Sequence, residues 1–442
     1  MNTITRLISR LQGLKLRFGA SERGAVAIIV ALAVVPLMVA GGLAVDLSRA
    51  YLTKSRLAHA LDAAGLAVGS MRTTSTSSAY LETQFNNFFT ANYPNTEVGT
   101  THDITFVDNG GIITVTGKAT VETVFMSIVG VDSITVGSTA QITVETNGLE
   151  LVMVLDNTGS MASGGRMTTM KAAAHDLIDI VFGDEATPDL LKVGLVPFSH
   201  TVNIGTGNAA YVSDTDIYSW GSYPWQGCVM ARSNPADVND TDIATDGTWD
   251  PYYFEYYAGY SVSNHNTYCP PEITPLTNVR TTLDNGIDAM VTSGGTHINL
   301  GAIWGWRTIS PEAPYTEGAT YDDPDWTKAV ILLTDGENYS PNTYIKTGYG
   351  YLPDGNLGTT SSSSAAISEL NDRVLDVCTG MKNEGIVVYT IAFGSSIPAS
   401  TASMMSDCAT DADKYFESPD NATLTTAFRA IGAELKNLHL SQ

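Results

Sequence analysis

Two apolar runs, each the length of one buried strand, stop abruptly at a carboxylate. Leu151–Leu155 breaks into Asp156-Asn157-Thr158-Gly159-Ser160, and Ala329–Leu333 breaks into Thr334-Asp335-Gly336. Continuous apolar runs of this length fit strands covered on both faces of a parallel sheet, although period alone does not separate them from buried helix. The polar break and the helical spacing behind it favour strand, then loop, then helix. Helical spacing recurs over Arg166–Phe182 and near 285–291, 300–309, 365–383 and 424–438, with strand-like runs at 192–199, 386–393 and 414–417. Strands alternating with helices predict a doubly wound α/β sheet.

The first third of the chain is patterned differently. Gly24 to Val45 runs 22 residues without a charge, with Pro36 inside it. That is enough to span a bilayer, where a proline kink is tolerated. Leu47, Ala50, Tyr51, Leu57, Ala58, Leu61, Ala64 and Val68 continue at helical spacing, so the helix is expected to run on past the apolar stretch. A short helix follows over 78–92, and from 102 to 145 the period changes to two. Ile113, Val115, Ala119 and Val121 alternate with polar residues, as do Ile134, Val136, Ala140, Ile142 and Val144. Asn109-Gly110 marks a hairpin turn after the strand holding Ile104 and Phe106.

The expected organisation is therefore a basic tail (1–23), a membrane helix (24–45), an extended helical segment (46–100), a small β-rich module (101–147) and a doubly wound domain (148–442). Two stretches exceed what that last fold needs, at about 203–278 and 338–364. The first holds Trp220, Trp225, Trp249, Tyr252, Tyr253, Phe254, Tyr256, Tyr257 and Tyr260; the second holds Tyr339, Tyr344, Tyr349 and Tyr351. Both are expected to leave from the carboxyl ends of strands. Such aromatics read equally as a recognition surface, since Tyr and Trp dominate binding hot spots, or as the insertions' own small core. Asp240-x-Asp242 to Asp246-Gly247 hints at calcium but lacks EF-hand spacing.

Charge changes the picture at the N-terminus. The chain carries a net −23, which leaves no basic face for nucleic acid. Yet Arg6, Arg10, Lys15, Arg17 and Arg23 stand against the single acid Glu22 before the apolar run. That bias predicts a cytoplasmic N-terminus, with everything after Val45 on the far side of the membrane. A cleaved signal peptide is the competing reading; its apolar core would be shorter, and no clean Ala-x-Ala site follows. Four cysteines allow three pairings. Given export, Cys228–Cys269 within the first insertion and Cys378–Cys408 around the 386–393 strand are the expected disulfides.

The candidate chemistry lies at the strand ends. Asp156, Thr158 and Ser160 alternate along one loop, Gly294-Gly295-Thr296 is a tight turn presenting a hydroxyl, and Asp335 ends the other strand. Two carboxylates and three hydroxyls form a hard, all-oxygen set suited to Mg²⁺, Ca²⁺ or Mn²⁺. The plainer reading is a helix cap plus an ordinary turn. Asp156-x-Thr158-x-Ser160, the Gly-Gly-Thr296 turn and Thr334-Asp335-Gly336 together resemble the metal-ion-dependent adhesion site of von Willebrand factor A domains, with Thr158 where that family usually has Ser. The resemblance implies a Rossmann-like domain over most of 148–440 and an ion whose coordination a partner's carboxylate completes.

The N-terminal segment is similar to another family. Arg23-Gly24-Ala25-Val26-Ala27, Asp46-Leu47-Ser48-Arg49-Ala50 and Leu61-Asp62-Ala63-Ala64 resemble TadE/TadG-like proteins of Flp (tight-adherence) pilus assembly. Processed, pilin-like members carry a Glu just inside the apolar run. Here Ile28 and Ile29 occupy that region, so the TadG-like, unprocessed branch fits. Together these resemblances imply a single-pass inner-membrane protein with its C-terminal domain periplasmic or surface-exposed. Its expected partners are other pilus-assembly components and a protein or surface offering an acidic group. The rival readings are a structural envelope component whose metal only stabilises the fold, and a metal hydrolase using His297 or Glu337 as base. No nucleophile elbow, Walker loop or zinc-hydrolase helix supports the last, so no catalysis is expected.

Overall fold

The computed structural model describes residues 22–72, 77–94, 98–109, 112–143, 148–215, 223–241, 243–256 and 262–440. The basic tail with Arg6, Arg10, Lys15 and Arg17, the turn residue Gly110, and Val144, Trp220, Asp242, Tyr257 and Tyr260 lie outside the described residues. The chain divides into two compact units, one built from residues up to 72 together with 76–144, the other chiefly from 145–442.

In the first unit a single helix, α1 (Glu22–Gly69), carries both the apolar run and its amphipathic continuation, with Pro36 inside it. Over Val26–Gly69 it is long and apolar enough to cross a membrane. Its later turns pack on α2 (Ser78–Asn92) and on a three-stranded antiparallel sheet of β1 (Thr100–Asp108), β2 (Ile112–Glu122) and β3 (Ser133–Thr143), in the order β1-β2-β3. Leu57, Leu61, Ala64 and Val68 meet Leu81, Phe85, Ile113, Val115 and Ile142 in one core. The packed face of α1 differs from the expected stripe near its beginning. Asp46 and Thr53 are buried on it, whereas Leu47 and Tyr51 are exposed. Both polar residues are used: Thr53 Oγ1 donates to the Val98 carbonyl at 3.3 Å, and Asp46 accepts three backbone N–H groups. A burial pattern carried by hydrogen-bonded polar side chains leaves no hydrophobic period to read.

The second unit is a doubly wound sheet. Its spine is β4 (Gly148–Asp156), buried at every position, with β5 (Leu191–Phe198) on one side and β9 (Trp326–Thr334), β10 (Val387–Phe393) and β11 (Tyr415–Ser418) in turn on the other. All these neighbours are parallel. The short strands β6 (Val202–Asn203) and β7 (Cys228–Val229) extend the β5 edge antiparallel, and β8 (Thr274–Thr277) also pairs antiparallel with β5. Side chains of a strand alternate between faces. Leu149, Leu151, Met153 and Leu155 therefore join α3 (Arg166–Phe182), α5 (Arg280–Ala289) and α9 (Asn421–Leu440) in one core. Val152 and Val154 join α6 (Ile298–Ile309), α7 (Ser363–Asn383) and α8 (Ala399–Cys408) in the other. The sequence pattern did not mark α8.

Glycine decides how close α6 comes. A Cβ on Gly301 would lie 2.6 Å from the Phe198 ring, and one on Gly305 would lie 2.5 Å from Val154. Helix-interior glycine costs about 1 kcal/mol against alanine. The loss is offset by seating the helix directly on the sheet, which carries the turn before it, Thr296, to the strand ends.

In the first insertion, which holds the four-residue helix α4 (Ile243–Asp246), Trp225 and Trp249 join the main core beside Trp304 of α6, and Tyr252 and Phe254 pack with Cys228 in a small core of their own. Trp225, Trp249, Tyr252 and Phe254 are buried, while Tyr223 and Tyr256 stay exposed. The Cys228–Cys269 and Cys378–Cys408 disulfides are both formed.

Candidate metal centre

β4 delivers Asp156 to the carboxyl edge of the sheet, where the chain turns at once. Asp156 Oδ1 accepts the Thr158 N–H at 2.8 Å, an aspartate turn closed within its own loop. Gly159–Gly165 forms 3₁₀ turns that end with Gly164 (φ 61°) and Gly165 (φ 72°) in the left-handed region, after which α3 starts at Arg166. Those two glycines let the chain stop one helix and begin another within two residues.

Three loops are locked together by main-chain bonds before any side chain is counted. The Gly294 carbonyl accepts from Gly159 N at 2.9 Å, and the Asn157 carbonyl from Ser293 N at 2.7 Å. The Thr296 carbonyl accepts from Tyr339 N at 2.6 Å. Asn338 adds a fourth tie, since its Oδ1 accepts the Ile298 N–H at 2.8 Å and satisfies a donor at the start of α6.

The side chains then converge. Thr334 Oγ1 donates to Asp156 Oδ2 at 2.8 Å. The Thr158 and Ser160 hydroxyl oxygens are 2.9 Å apart, and Ser160 Oγ donates to Asp335 Oδ1 at 2.5 Å. Asp335 Oδ2 accepts from Arg166 Nη1 at 2.7 Å. Asp156, Thr158, Ser160 and Asp335 thus belong to one hydrogen-bonded cluster. Thr296 reaches the same place by its backbone ties, and with Thr158 and Ser160 it lines one open cleft of about 670 Å³. Burial first, and then the neighbouring Asp335 carboxylate, push Asp156 up to about 7.

This donor set fits a hard divalent ion. The Asp335 carboxylate adds to the cost of ionising Asp156, and a cation between the two would lower that cost. Among the described residues the cation in contact with the cluster is Arg166, on Asp335 Oδ2. Among the described residues no group of three or more His, Cys, Asp and Glu gathers, so the set depends on its hydroxyls. That composition disfavours zinc or copper and suits Mg²⁺, Ca²⁺ or Mn²⁺.

Two neighbours of the cluster and its cleft escaped the sequence reading. Arg166 is one, hidden as the first residue of an ordinary helix. His200, just beyond β5, is the other: it lines the cleft with Tyr268 and Tyr339, its ring 4.7 Å from the Tyr268 ring and 5.4 Å from that of Tyr339. Burial pulls His200 down to about 4. His297, the base considered for a hydrolase, is fully buried and held well below the usual histidine range, by burial and then by His200. Neither ring nitrogen of either histidine has a hydrogen-bond partner. Glu337 is exposed and borders the cleft.

The calcium hint dissolves into packing. Asp240 accepts from Ser310 Oγ at 2.9 Å and from Tyr321 Oη, while Asp246 takes the Thr241 hydroxyl and pairs with Arg232 at 3.8 Å. Of the insertion aromatics, Tyr268 and Tyr339 border the cleft, and Trp249 and Tyr252 are buried away from solvent.

Comparison with known proteins separates the two parts of the chain. Residues 24–71 match the family model Tad, TadE/G-like Flp pilus assembly. No curated protein matches the chain. Among solved structures, the chain is similar to the vWF domain of the type V pili tip protein Mfa5 from Porphyromonas gingivalis, at 13% identity and TM-score 0.39, covering 67% of this chain and 97% of that one. It is similar to the pilus adhesin SpaC from Lactobacillus rhamnosus GG at 12% identity and TM-score 0.39, over 78% of this chain and 35% of SpaC. It is also similar to proximal thread matrix protein 1 from the mussel byssus with a zinc-occupied MIDAS motif, at 14% identity and TM-score 0.34, over 67% of this chain and 47% of that protein. Residues 24–71 of the chain are thus similar to the TadE/G-like Flp pilus-assembly family, and behind that segment the chain carries a doubly wound α/β domain.

Proposed function

We propose that this protein is a membrane-anchored, divalent-metal-dependent binding protein of a Flp pilus-assembly system. Asp156, Thr158, Ser160, Thr296 and Asp335 hold the ion, and a partner's acidic side chain completes its coordination. The observation carrying this reading is the convergence of three separate loops on one cluster of two carboxylates and three hydroxyls that opens into a cleft. A bound Mg²⁺ or similar ion supplies a Lewis-acidic coordination position that attracts a carboxylate. The chain's own part is to hold its five oxygens in place from rigid strand ends, with His200, Tyr268 and Tyr339 shaping what enters beside them.

The reading is one of binding rather than catalysis. His297 is fully buried and does not line the cleft, which removes one of the two candidate bases from reach of a substrate. The N-terminus is placed in the cytoplasm and the metal domain on the far side of the inner membrane, because the basic tail precedes the apolar run.

Calorimetric titration of Mg²⁺, Ca²⁺ and Mn²⁺ into the detergent-solubilised chain tests the ion site, with the Asp156→Ala/Asp335→Ala double variant alongside. One ion per chain, lost in the variant with the fold retained, is the expected result. Pull-down of pilus components or acidic peptides, with and without chelator, then tests the partner. A folded protein that binds no ion and captures the same partners in chelator would refute the reading. If the ion only stabilises the fold, chelation lowers the melting temperature without releasing a partner.

A further inference from the structure

Between Glu122 and Asp132 the chain runs nine residues, Thr123–Val131, without a charge. They connect β2 to β3 and contain one 3₁₀ turn, Met126–Val129. Val124, Phe125, Ile128, Val129 and Val131 are all exposed, Ile128 to 78% and Val129 to 57%. Single exposed apolar residues are ordinary, but five in one short connection form a patch that water penalises.

The connection is fastened to α1. Buried Asp46 accepts the backbone N–H groups of Val124 at 2.9 Å, Phe125 at 2.8 Å and Met126 at 2.7 Å. Arg49 Nη1 adds a bond to the Glu122 carbonyl at 3.2 Å. One turn earlier, a Cβ on Gly42 would fall 2.4 Å from Phe125 Cβ, so only glycine admits this approach. Asp46 is the first charge after the uncharged run, and Gly42 lies four residues before it. At 1.5 Å per residue, Phe125 touches the helix about 6 Å to the apolar side of that charge. Leu32, Val35, Leu37 and Met38, in the turns of the same helix before Gly42, are exposed apolar residues as well.

We propose that the Thr123–Val131 connection is a second membrane contact, whose Phe125, Ile128 and Val129 enter the boundary between lipid headgroups and acyl chains beside the point where α1 leaves the bilayer. The occupant of this patch is the lipid around α1, so the inference rests on the membrane-anchor reading. An interfacial element gains by burying apolar side chains at the boundary, and Thr123–Val131 brings no charge with it. Backbone donors must be satisfied before they enter a medium without water, and Asp46 satisfies three of them at the start of the turn. A helix alone can rotate about its axis in a bilayer. A second contact beside it fixes which way the three-stranded module faces.

Both disulfides are formed and the chain has four cysteines, so an introduced cysteine labels uniquely. The full chain is reconstituted in phosphatidylcholine/phosphatidylglycerol vesicles with a nitroxide at Ile128→Cys or, independently, Val129→Cys. Labels at Leu32→Cys in α1 and at Thr139→Cys on exposed β3 serve as references. Collision with oxygen, which concentrates in lipid, is compared with collision with a water-soluble nickel chelate. The labels at 128 and 129 should favour oxygen several-fold, as at Leu32, while Thr139 favours the chelate. Water-like behaviour at 128 and 129, with Leu32 still reporting lipid, overturns the second contact and leaves the anchor standing. Shielding of 128 and 129 from both agents also overturns it, because protein then covers the patch. A water-accessible Leu32 overturns the anchor and this inference together.

Discussion

Arg166 and Asp335 form an ion pair at 2.7 Å across the mouth of the cluster, and Ser160 holds the other oxygen of the same carboxylate. The guanidinium is partly exposed and the carboxylate is not. Asp335 is thus aimed, and half neutralised, by the first residue of the helix behind the loop. Arg166→Gln removes a positive charge beside a site proposed for a divalent cation. Without the ion, the variant should lose about 2 kcal/mol, because a buried carboxylate loses its ionic partner. Divalent ions should bind about tenfold tighter, the repulsion of a nearby cation being about 1.4 kcal/mol at partly solvated range. Denaturant melts and calorimetry check the two halves; equal or weaker ion binding would make Arg166 a positioning residue only.

Asp156→Asn keeps one oxygen to accept the Thr158 N–H, replaces the oxygen facing Thr334 Oγ1 with an NH2 that donates to that hydroxyl, and removes the charge. The expected outcome is a folded protein with ion affinity reduced at least ~100-fold, since one of two anionic ligands is gone. Equal affinity in the variant, read by calorimetry, would place the ion elsewhere.

His200 makes the domain sensitive to acid. Burial lowers it from 6.5 to about 4, so between these values the unfolded chain takes up the proton more readily than the folded one. Its contribution is complete above about pH 6.5 and is lost as pH falls towards 4, for a total of about 3 kcal/mol. His297 shifts in the same direction. His200→Phe should therefore flatten, without abolishing, the fall in stability over that range. Urea melts at pH 7 and pH 4.5 on both proteins make the comparison.

Gly295 is held against the floor of the cleft. An added Cβ would lie 2.7 Å from His200 Nε2 and 2.7 Å from Tyr339 Cγ. Gly295→Ala should displace one of those rings, cost about 1–3 kcal/mol and weaken ion binding by moving Thr296. An unchanged affinity would show that Thr296 does not need this turn.

Cys378 lies on α7's buried face and Cys408 ends α8, 30 positions further along the chain. Replacing both by alanine frees that loop in the unfolded chain and should cost about 3–4 kcal/mol. Since both sulfurs are buried, the native protein should resist mild reductant while its urea-unfolded form is reduced quickly.

Much of this was legible along the chain, for identifiable reasons. Strands β4 and β9 are buried on both faces, so each carries an unbroken apolar run, and a carboxylate of the hydrogen-bonded cluster stands at the end of β4 and directly after β9. Arg166–Phe182 has a clear helical period and the structure places α3 over those same residues. The turn with Thr296 declared itself through its two glycines. Less visible were places where burial is carried by polar groups. Asp46 and Thr53 sit on the packed face of α1, and His200 lies in the cleft with no hydrophobic signature. The aromatic insertion gave an even reading, because composition does not say whether Trp249 and Tyr252 face inward.

The sequence by itself determined the alternation of the long strands and helices, the uncharged span from Gly24 and which oxygen-bearing residues stand at the strand ends, since these follow from local period, charge and spacing. Tertiary structure alone decided that Ser160 meets Asp335 across 175 positions, that Arg166 turns back onto the same carboxylate and that the connection after β2 docks against Gly42. Those relations depend on strand order and on how closely helices seat against the sheet. Both are set by packing between distant segments, and a pattern read along one chain does not contain them.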